Sequence, residues 1–350
     1  LIDGRPANGR LTDDFDLVRF LEAEAAPLPW KPVEYNDDFC ILRYFEGEYQ
    51  SIARLQGYLS WDVVIDNLPV DCDGRIVYLI AETEAELSQA AAVAREQLAH
   101  PRLVVVIPRE PLPVAAAAVE VTSLGRMQLD SELIESDPLA LPEIQQMTDD
   151  ARDHLQRLVD RLTHPSVDGP RWFYQGEEVP VQTPRDLRRT LSGIMREVYE
   201  KTPRINNEVI VRKKPSPQMI NARKKLLLGI LERHGQSELG IEGHFPDKSM
   251  FQTVLLHTGL YRQHRGRWGY AAPKSINDHG LREVWRKFQE FLTVPSDSPK
   301  QFRSFFEELS APPIGLRAGL IPILLGAALR AFPSAVSLTN NGEYVVDILP

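Results

Sequence analysis

The sequence predicts an α+β protein that is mainly helical, with an N-terminal α/β (βαβ) unit followed by a helical region containing a winged-helix-like module. Two β-branched runs flank a helical segment between residues 75 and 107, helical periodicity dominates residues 142–257, and a tight basic hairpin follows at 261–270. With 350 residues, the chain can bury a sizeable core and normally divides into two or three domains. We predict an α/β domain without a phosphate loop, a helical connector, the winged-helix-like module, and a C-terminal helical region with a terminal strand: 1–118, 119–214, 215–275 and 276–350.

The N-terminal part carries the clearest α/β signal. Residues 1–70 mix aromatic, acidic and proline positions, which is typical of an α+β region. Residues 75–80 and 103–107 read as strands, and Thr83 marks the start of the helix between them. This is a βαβ unit whose helix of about 17 residues suits a crossover connection. The positions expected to pack on the sheet are Leu87, Ala91, Ala94 and Leu98.

Helices dominate the rest of the chain after a Pro- and Ala-rich connection at 108–118. A strand entering a turn is predicted at 171–176, between two of these helices. The predicted helices are 142–163, 185–201, 216–233, 246–257, 281–293, 299–309 and a buried apolar helix within 319–330. A terminal strand is predicted at 343–349.

The motifs that bind nucleotides or perform common hydrolytic chemistry are missing from the sequence. No Gly-x-x-x-x-Gly-Lys-Ser/Thr loop occurs, and the turn of the βαβ unit, residues 81–84, has no glycine and carries negative charge where a phosphate would sit. No Gly-x-Ser-x-Gly nucleophile turn is present. We therefore expect no cofactor, no catalytic residues and no enzymatic activity within this chain.

Metal, disulfide and membrane roles are also not indicated. No two histidines have the His-x-x-x-His spacing, and Cys40 and Cys72 are too few for a disulfide framework or a Cys-rich zinc site. The longest apolar run, within 319–330, is too short to span a bilayer, and no signal segment follows Leu1. The expected location is the reducing cytoplasm, with no metal site and no membrane contact.

The charge distribution points to a polyanion as a partner. The whole chain has a net charge of −9, yet residues 181–290 contain 21 Lys and Arg against 11 Asp and Glu. An order of helix, helix and basic hairpin within this segment is typical of a winged helix, and double-stranded DNA is the candidate partner. The candidate nucleic-acid-binding residues are Arg212, Lys213, Lys214, Arg223, Lys224, Lys225, Lys248, Ser249, Gln252, Arg262, Arg265, Arg267 and Trp268.

The second helix of this module is a poor base reader, because Asp247 lies at the end that would meet DNA. Two interpretations of the basic residues stay open. In one they neutralise phosphates, and Trp268 packs under the wing or touches a sugar. In the other they form a solvated helix face, while Ile220, Leu226, Leu227, Ile230 and Leu231 pack the core.

Two further hypotheses concern function. A protein-interaction scaffold predicts an exposed apolar patch around Trp268 and Tyr270, or around residues 312–316, because monomers seldom leave large patches bare. An independent enzyme predicts a divalent-cation site in the acidic N-terminal half. The carboxylates that would form it are Asp37, Asp38, Glu46 and Glu48.

Several phrases resemble a known family. They run in order as Trp-Phe-Tyr-Gln-Gly at 172–176, Val-Tyr-Glu-Lys-Thr-Pro at 198–203, Ile-Asn-Asn-Glu-Val-Ile at 205–210, Gly-Ile-Glu-Gly at 240–243, Ser-Met-Phe at 249–251, Thr-Gly-Leu at 258–260 and Ala-Pro-Pro-Ile-Gly-Leu-Arg-Ala-Gly-Leu-Ile-Pro at 311–322. Together they resemble the region that follows the ATPase core in BREX-type phage-resistance ATPases of bacteria.

The resemblance implies a fragment of a long AAA-like ATPase that acts on DNA in restriction-like defence. It implies that this part lacks the ATP site, and that other subunits or domains of a defence complex are partners. The matching phrases are structural, so no catalytic residue of the family is carried over to this sequence.

Overall fold

The computed structural model describes residues 15–52, 72–130, 140–207, 216–243, 245–296, 298–332, 337–340 and 343–344. Of these residues, 53% are helical and 13% lie in strands, so the predicted mainly helical α+β class is confirmed. Backbone contacts divide the chain into two compact units. The first unit comprises Leu1–Trp30 and Tyr44–Thr190, and the second comprises Lys31–Arg43 and Leu191–Pro350. The four finer segments predicted from the sequence remain predictions.

The first unit is built on a five-stranded mixed sheet in the order β1-β2-β3-β4-β5. Its first three strands are parallel, and β4 and β5 continue the sheet as an antiparallel hairpin. The strands are β1 Phe45–Ser51, β2 Gly74–Ile80, β3 Leu103–Ile107, β4 Arg171–Tyr174 and β5 Glu177–Val179. The two predicted strands of the βαβ unit are therefore confirmed, and β1 adds a parallel neighbour that the aromatic and acidic pattern of residues 1–70 did not reveal.

Helices cover both faces of this sheet. They are α1 Leu17–Glu24, α3 Glu84–Glu96, α4 Val114–Met127 and α5 Ala140–Thr163. The crossover helix α3 buries Ala90, Val93 and Ala94 against Val77 and Val105, in a cluster that Leu87 and Ala91 also contact. On the opposite face Tyr49 donates a hydrogen bond to the carbonyl oxygen of Ala25, next to the end of α1. Because β2 and β3 are covered on both sides, their continuous apolar sequences are what the fold requires.

The second unit contains helices and two short hairpins. The helices are α2 Val33–Phe39, α6 Pro184–Val198 (most of it in this unit), α7 Pro217–Glu232, α8 Pro246–Met250, α9 His279–Thr293, α10 Phe302–Ser310 and α11 Ile321–Ala331. The hairpins pair β6 Tyr261–His264 with β7 Arg267–Tyr270 and β8 Thr339–Asn340 with β9 Glu343–Tyr344. Helix α7 packs against α8 and α11, and α9 packs against α11.

A buried arginine joins distant parts of the second unit. The guanidinium of Arg43, a residue that is 1% exposed, lies 3.7 Å from the centroid of the Tyr199 ring and donates to Thr202 and to the carbonyl oxygen of Gly315. Gly315 has a φ of 62°, and a Cβ there would overlap both Arg43 and Tyr199. The sequence phrases at 198–203 and 311–322 are thus brought together around one buried cation, which favours a structural role for them.

Most predicted elements occur, with differences at their ends. Helix α3 has 13 residues, shorter than the predicted length. The predicted connection at 108–118 is wrong in its second half, because α4 begins at Val114 and its alanines are strong helix formers. Helix α8 continues as a π-helix, Phe251–Leu256, within the predicted helix 246–257. Of the predicted terminal strand only Glu343–Tyr344 lies within the described residues.

Candidate nucleic-acid interface

The most distinctive surface of the second unit is the hairpin of β6 and β7. Its two-residue turn consists of Arg265 and Gly266, whose φ angles are 49° and 81°. Positive φ at both central positions is the geometry of a type I′ turn, which matches the twist of paired strands. The second position takes glycine, as expected, but the first carries an arginine at the tip of the hairpin. The turn therefore projects a cationic side chain beyond the ends of the strands.

The pairing register segregates the side chains of the hairpin by type. Tyr261 pairs with Tyr270 and Gln263 with Trp268, whereas Arg262 pairs with Gly269 and His264 with Arg267. Directly opposed residues share a face, and successive residues alternate between faces. One face, which we call the cationic face, therefore carries Arg262, His264 and Arg267, with Arg265 at the tip. The other face carries the aromatic residues and Gln263.

The aromatic face anchors the hairpin to the unit. Trp268 stacks on Tyr261 at a ring-centroid distance of 5.7 Å, and Phe251 packs edge-on against the same tyrosine at 5.9 Å. Trp268 is half-buried, and the two roles considered for it, packing and contact with a sugar, both remain predictions. Burial raises the pKa of the Tyr270 hydroxyl, and it also raises that of Tyr261. Both phenols are neutral at physiological pH, as a phenol is at its ordinary pKa.

Tyr261 also fixes the glycine-punctuated connector after α7. Its hydroxyl donates to the carbonyl oxygen of Gln236 at 2.7 Å and accepts from the backbone N–H of Gly235 at 3.0 Å. A turn, Ser237–Gly240, follows directly, and its inner residues Glu238 and Leu239 have left-handed φ angles of 51° and 55°. The side chain that supports the hairpin thus also holds the loop between the two helices, so that loop and hairpin form one packed body.

The arginines of the hairpin differ in whether the protein itself supplies a hydrogen-bond acceptor or an ion-pair partner. Arg265 and Arg267 are exposed, and neither makes a side-chain hydrogen bond or ion pair within the described part of the chain. Arg262 is exposed as well, but its guanidinium donates to the hydroxyl of Ser275 at 2.8 Å. Two arginines of the cationic face are therefore available to an external anion, and a third is held in position by a neutral partner.

An open groove of about 690 Å³ runs along the hairpin. Its lining includes the cationic face with Arg265, the aromatic residues Trp268 and Tyr270, and Ala271, Ala272 and Ser275 from the segment that follows β7. Gly269 also lines the groove, and no atom of the described residues lies within 4 Å of the position that its Cβ would occupy. The groove therefore has cationic residues in its lining and open space beside Gly269.

Helix α7 carries a second group of candidate cations. Lys224 and Lys225 are exposed and Arg223 is half-buried, while Leu226 and Ile230 on the same helix are buried. None of the three basic side chains makes a hydrogen bond or ion pair with a described residue. This arrangement is compatible with both interpretations left open by the sequence. An apolar face of α7 packs the core, and its basic face is exposed either to solvent alone or to a phosphate ligand.

The second helix of the module has fewer side chains available to a ligand than the candidate set suggests. Lys248 forms an ion pair with Glu238 and donates to the carbonyl oxygen of Ile241 at 2.7 Å, with only 12% of its side chain exposed. Thr253 accepts a hydrogen bond from Asn207 at 2.8 Å. Lys248 is thus used inside the unit to fix the connector, whereas Ser249 is exposed and Gln252 is half-buried.

Three candidate cations lie outside the described residues: Arg212, Lys213 and Lys214. Residues that the candidate set missed are His264 and Gly269, which share the cationic face, and Ser275, which holds Arg262. The two-residue period of the predicted hairpin could have placed His264 with Arg262. The contact with Ser275 depends on the return of the chain beneath β7, for which the sequence carries no signal.

The N-terminal end of the crossover does not have the form of a phosphate site. The Glu82 carboxylate accepts from the backbone N–H of Ala115 at 2.6 Å, so it occupies the N-terminal end of α4. Similarly, the Thr83 hydroxyl accepts from the backbone N–H of Glu86 in the first turn of α3, and the Glu86 carboxylate accepts from the backbone N–H of Glu82. Burial raises the pKa of the Glu82 carboxyl. The strand order also advances from β1 to β3 without reversing, whereas ligands of open α/β sheets bind where the order reverses.

Two of the four acidic residues considered for a divalent cation have basic partners. Asp38 accepts from Arg196 at 2.7 Å, and Glu48 accepts from Arg75 at 2.6 Å. Within the described ranges, no three His, Cys, Asp or Glu side chains gather closely enough to hold a metal ion. Likewise, none of the helices in the described ranges combines the length and apolarity needed to cross a membrane.

The residues considered for a protein-interaction patch are partly used by the core. Trp268 and Tyr270 are half-buried, and Ile314 and Leu316 are 1% and 3% exposed. Pro312 and its neighbour Pro313 are exposed.

Comparison of the chain with protein-family models, curated proteins and solved structures finds no match. The geometry of the hairpin and α7 therefore carries the functional argument.

Proposed function

We propose that the second unit is a non-catalytic, DNA-associated module with the helix, helix and hairpin order of a winged helix. The cationic face of the hairpin acts as the wing, and it binds the phosphates of double-stranded DNA with little sequence preference. The observation that carries the proposal is the one-sided placement of Arg262, His264 and Arg267, with Arg265 at the tip. Packing of the aromatic face already places polar residues on the opposite face, and the support for the proposal is that this opposite face carries arginines and no carboxylate.

The charge of the surrounding sequence supports this proposal. Lys224 and Lys225 add unpaired cations on α7, within a segment in which basic residues outnumber acidic ones by 21 to 11. The resemblance of residues 172–322 to the post-ATPase region of BREX-type proteins is consistent with a partner of the same kind, and it makes other parts of a defence complex further proposed partners. The proposal places the protein in the cytoplasm, where Cys40 and Cys72 remain free thiols.

The test is a fluorescence-anisotropy titration of the purified chain with labelled duplex and single-stranded DNA at low salt. The variant Arg265→Ala/Arg267→Ala is expected to bind duplex DNA roughly tenfold or more weakly, because two phosphate contacts are lost. A charge-matched control, Arg126→Ala/Arg157→Ala, removes two exposed arginines from the first unit and is expected to bind within about twofold of the wild type.

Equal affinities of the wild type and the hairpin variant would reject the hairpin as a wing. No binding by the wild type, even at low salt, would reject DNA association as a whole. In that case the cationic face would instead meet an acidic protein surface, which is the scaffold alternative. Equal losses in the hairpin variant and in the control would reduce the interaction to net charge.

A further inference from the structure

A glycine lines the groove beside the hairpin. Gly269 pairs with Arg262 and lies on the cationic face. An ordinary side chain at this position would project into open space, because no atom of the described residues lies within 4 Å of the Cβ position. The backbone at Gly269 is not in the left-handed region that requires glycine. The absence of a side chain at Gly269 thus leaves the groove open, and the backbone conformation does not require glycine there.

We propose that this groove seats the sugar–phosphate backbone of one nucleic-acid strand, with its closest approach to the protein at Gly269. The inference rests on the proposed function and adds the place of the strand to it: the strand lies in the groove beside Gly269, with phosphate oxygens bound and base edges not. Arg262, His264, Arg265 and Arg267 are among the residues that line the groove.

The spacing of the donors fits a phosphodiester strand. Residues two apart on a β-strand lie about 7 Å from each other, so Arg262 and His264 repeat at a distance comparable with that of successive phosphates on an extended strand. Arginine also presents a planar set of N–H donors that matches phosphate oxygens. Arg262 is already oriented by Ser275, so less conformational entropy is lost when it binds an anion.

The neighbouring helix supports a backbone contact over base reading. Lys248 is paired with Glu238, and Thr253 is bonded to Asn207, so two side chains of the second helix are already used within the unit. Ser249 is the exposed candidate that remains there. A ligand held in the groove by its phosphates needs no base contact from that helix, which agrees with weak sequence preference.

The test fills the groove without changing its charge. The variant Gly269→Leu places an apolar side chain on the cationic face, and the control Gln263→Leu places the same side chain on the opposite face of the hairpin, where Gln263 is exposed. Both variants are first compared with the wild type by circular dichroism and thermal unfolding. Affinity for labelled duplex and single-stranded DNA is then measured by anisotropy at about 50 and 200 mM salt.

The expected result is that Gly269→Leu folds normally, binds roughly tenfold more weakly and shows a shallower salt dependence, whereas Gln263→Leu stays within about twofold of the wild type. Inorganic phosphate, added at constant ionic strength, is expected not to displace the DNA. Displacement by inorganic phosphate would overturn the proposal in favour of a free-phosphate site.

The failure of this inference is distinguishable from that of the proposed function. Wild-type affinity in Gly269→Leu, with a loss in Arg265→Ala/Arg267→Ala, would overturn the groove and leave the wing intact. Equal losses in Gly269→Leu and Gln263→Leu would also overturn the groove, because the effect would not depend on the face. No DNA binding by the wild-type chain would overturn both.

Discussion

Lys248 and Lys224 lie on neighbouring helices of the second unit and differ in their surroundings. Lys248 is 12% exposed and bonded to Glu238 and to the Ile241 carbonyl, whereas Lys224 is exposed and has no partner among the described residues. The sequence alone treats both as equivalent candidate cations. A lysine that already satisfies an internal carboxylate and a carbonyl must lose those bonds to reach a phosphate. Lys248 should therefore contribute to stability and little to DNA binding, whereas Lys224 should contribute to DNA binding and little to stability.

Replacing each lysine by alanine tests this difference. Lys248→Ala is expected to lower the free energy of unfolding by about 1–2 kcal/mol, because it leaves a carboxylate and a carbonyl without their donor. Its affinity for DNA, measured on the folded protein, should stay within about twofold of the wild type. The control Lys224→Ala should leave stability within about 0.5 kcal/mol and weaken DNA binding.

The measurements are urea unfolding, followed by circular dichroism, and anisotropy titration. A Lys248→Ala variant that keeps wild-type stability but loses DNA affinity would place Lys248 in the interface, as the sequence first indicated. It would also show that the ion pair with Glu238 opens when DNA binds.

At the scale of elements, the sequence predicts regular periodicity well and irregular additions poorly. Strands β2 and β3 and the hairpin of β6 and β7 are recognisable because their patterns are local. Strand β1 is missed although its side chains alternate as in a half-buried strand, because it lacks the β-branched residues that mark β2 and β3, and its pairing with β2 is a long-range contact. The π-helical turn after α8 depends on how the helix packs, and its sequence is that of an ordinary helix.

Helix α4 offers a test of an element's N-terminus. Burial raises the pKa of the Glu82 carboxyl, which accepts from Ala115. A raised pKa means that the folded state binds the proton more tightly than the unfolded state, so stability falls as the pH rises through the pKa of the folded state. Glu82→Gln keeps an acceptor oxygen and removes the buried charge. It is expected to be more stable than the wild type at neutral pH, by less than about 1 kcal/mol.

The difference should shrink in mildly acidic solution, because the raised pKa means that Glu82 becomes protonated before an ordinary glutamate does. Thermal or urea unfolding at both pH values measures it, with the exposed Glu84→Gln in the first turn of α3 as the control that removes the same charge without burial. A Glu82→Gln protein less stable than the wild type at neutral pH would show that attraction between the carboxylate and the helix N-terminus outweighs desolvation.

At the scale of the whole molecule, the structure separates the basic residues of the charged segment into those with internal partners and those without. The basic excess of residues 181–290 includes cations that form ion pairs within the unit, such as Lys248 and Arg286, and cations on α7 and the hairpin that have no partner in the described parts of the chain. Net charge alone does not separate the two groups, since pairing depends on the fold. The sequence therefore predicts a polyanion-facing segment and names Arg265 and Arg267 among its candidates, whereas the difference between them and the paired Lys248 is visible only in the structure.

The most direct test of the central claim is the dependence of DNA affinity on salt for the wild type and for Arg265→Ala/Arg267→Ala. If the two arginines contact phosphates, the slope of the logarithm of affinity against the logarithm of salt concentration should be less steep in the variant by about 2. Two parallel lines would contradict the account, because no phosphate contact would have been lost when the cations of the hairpin tip were removed.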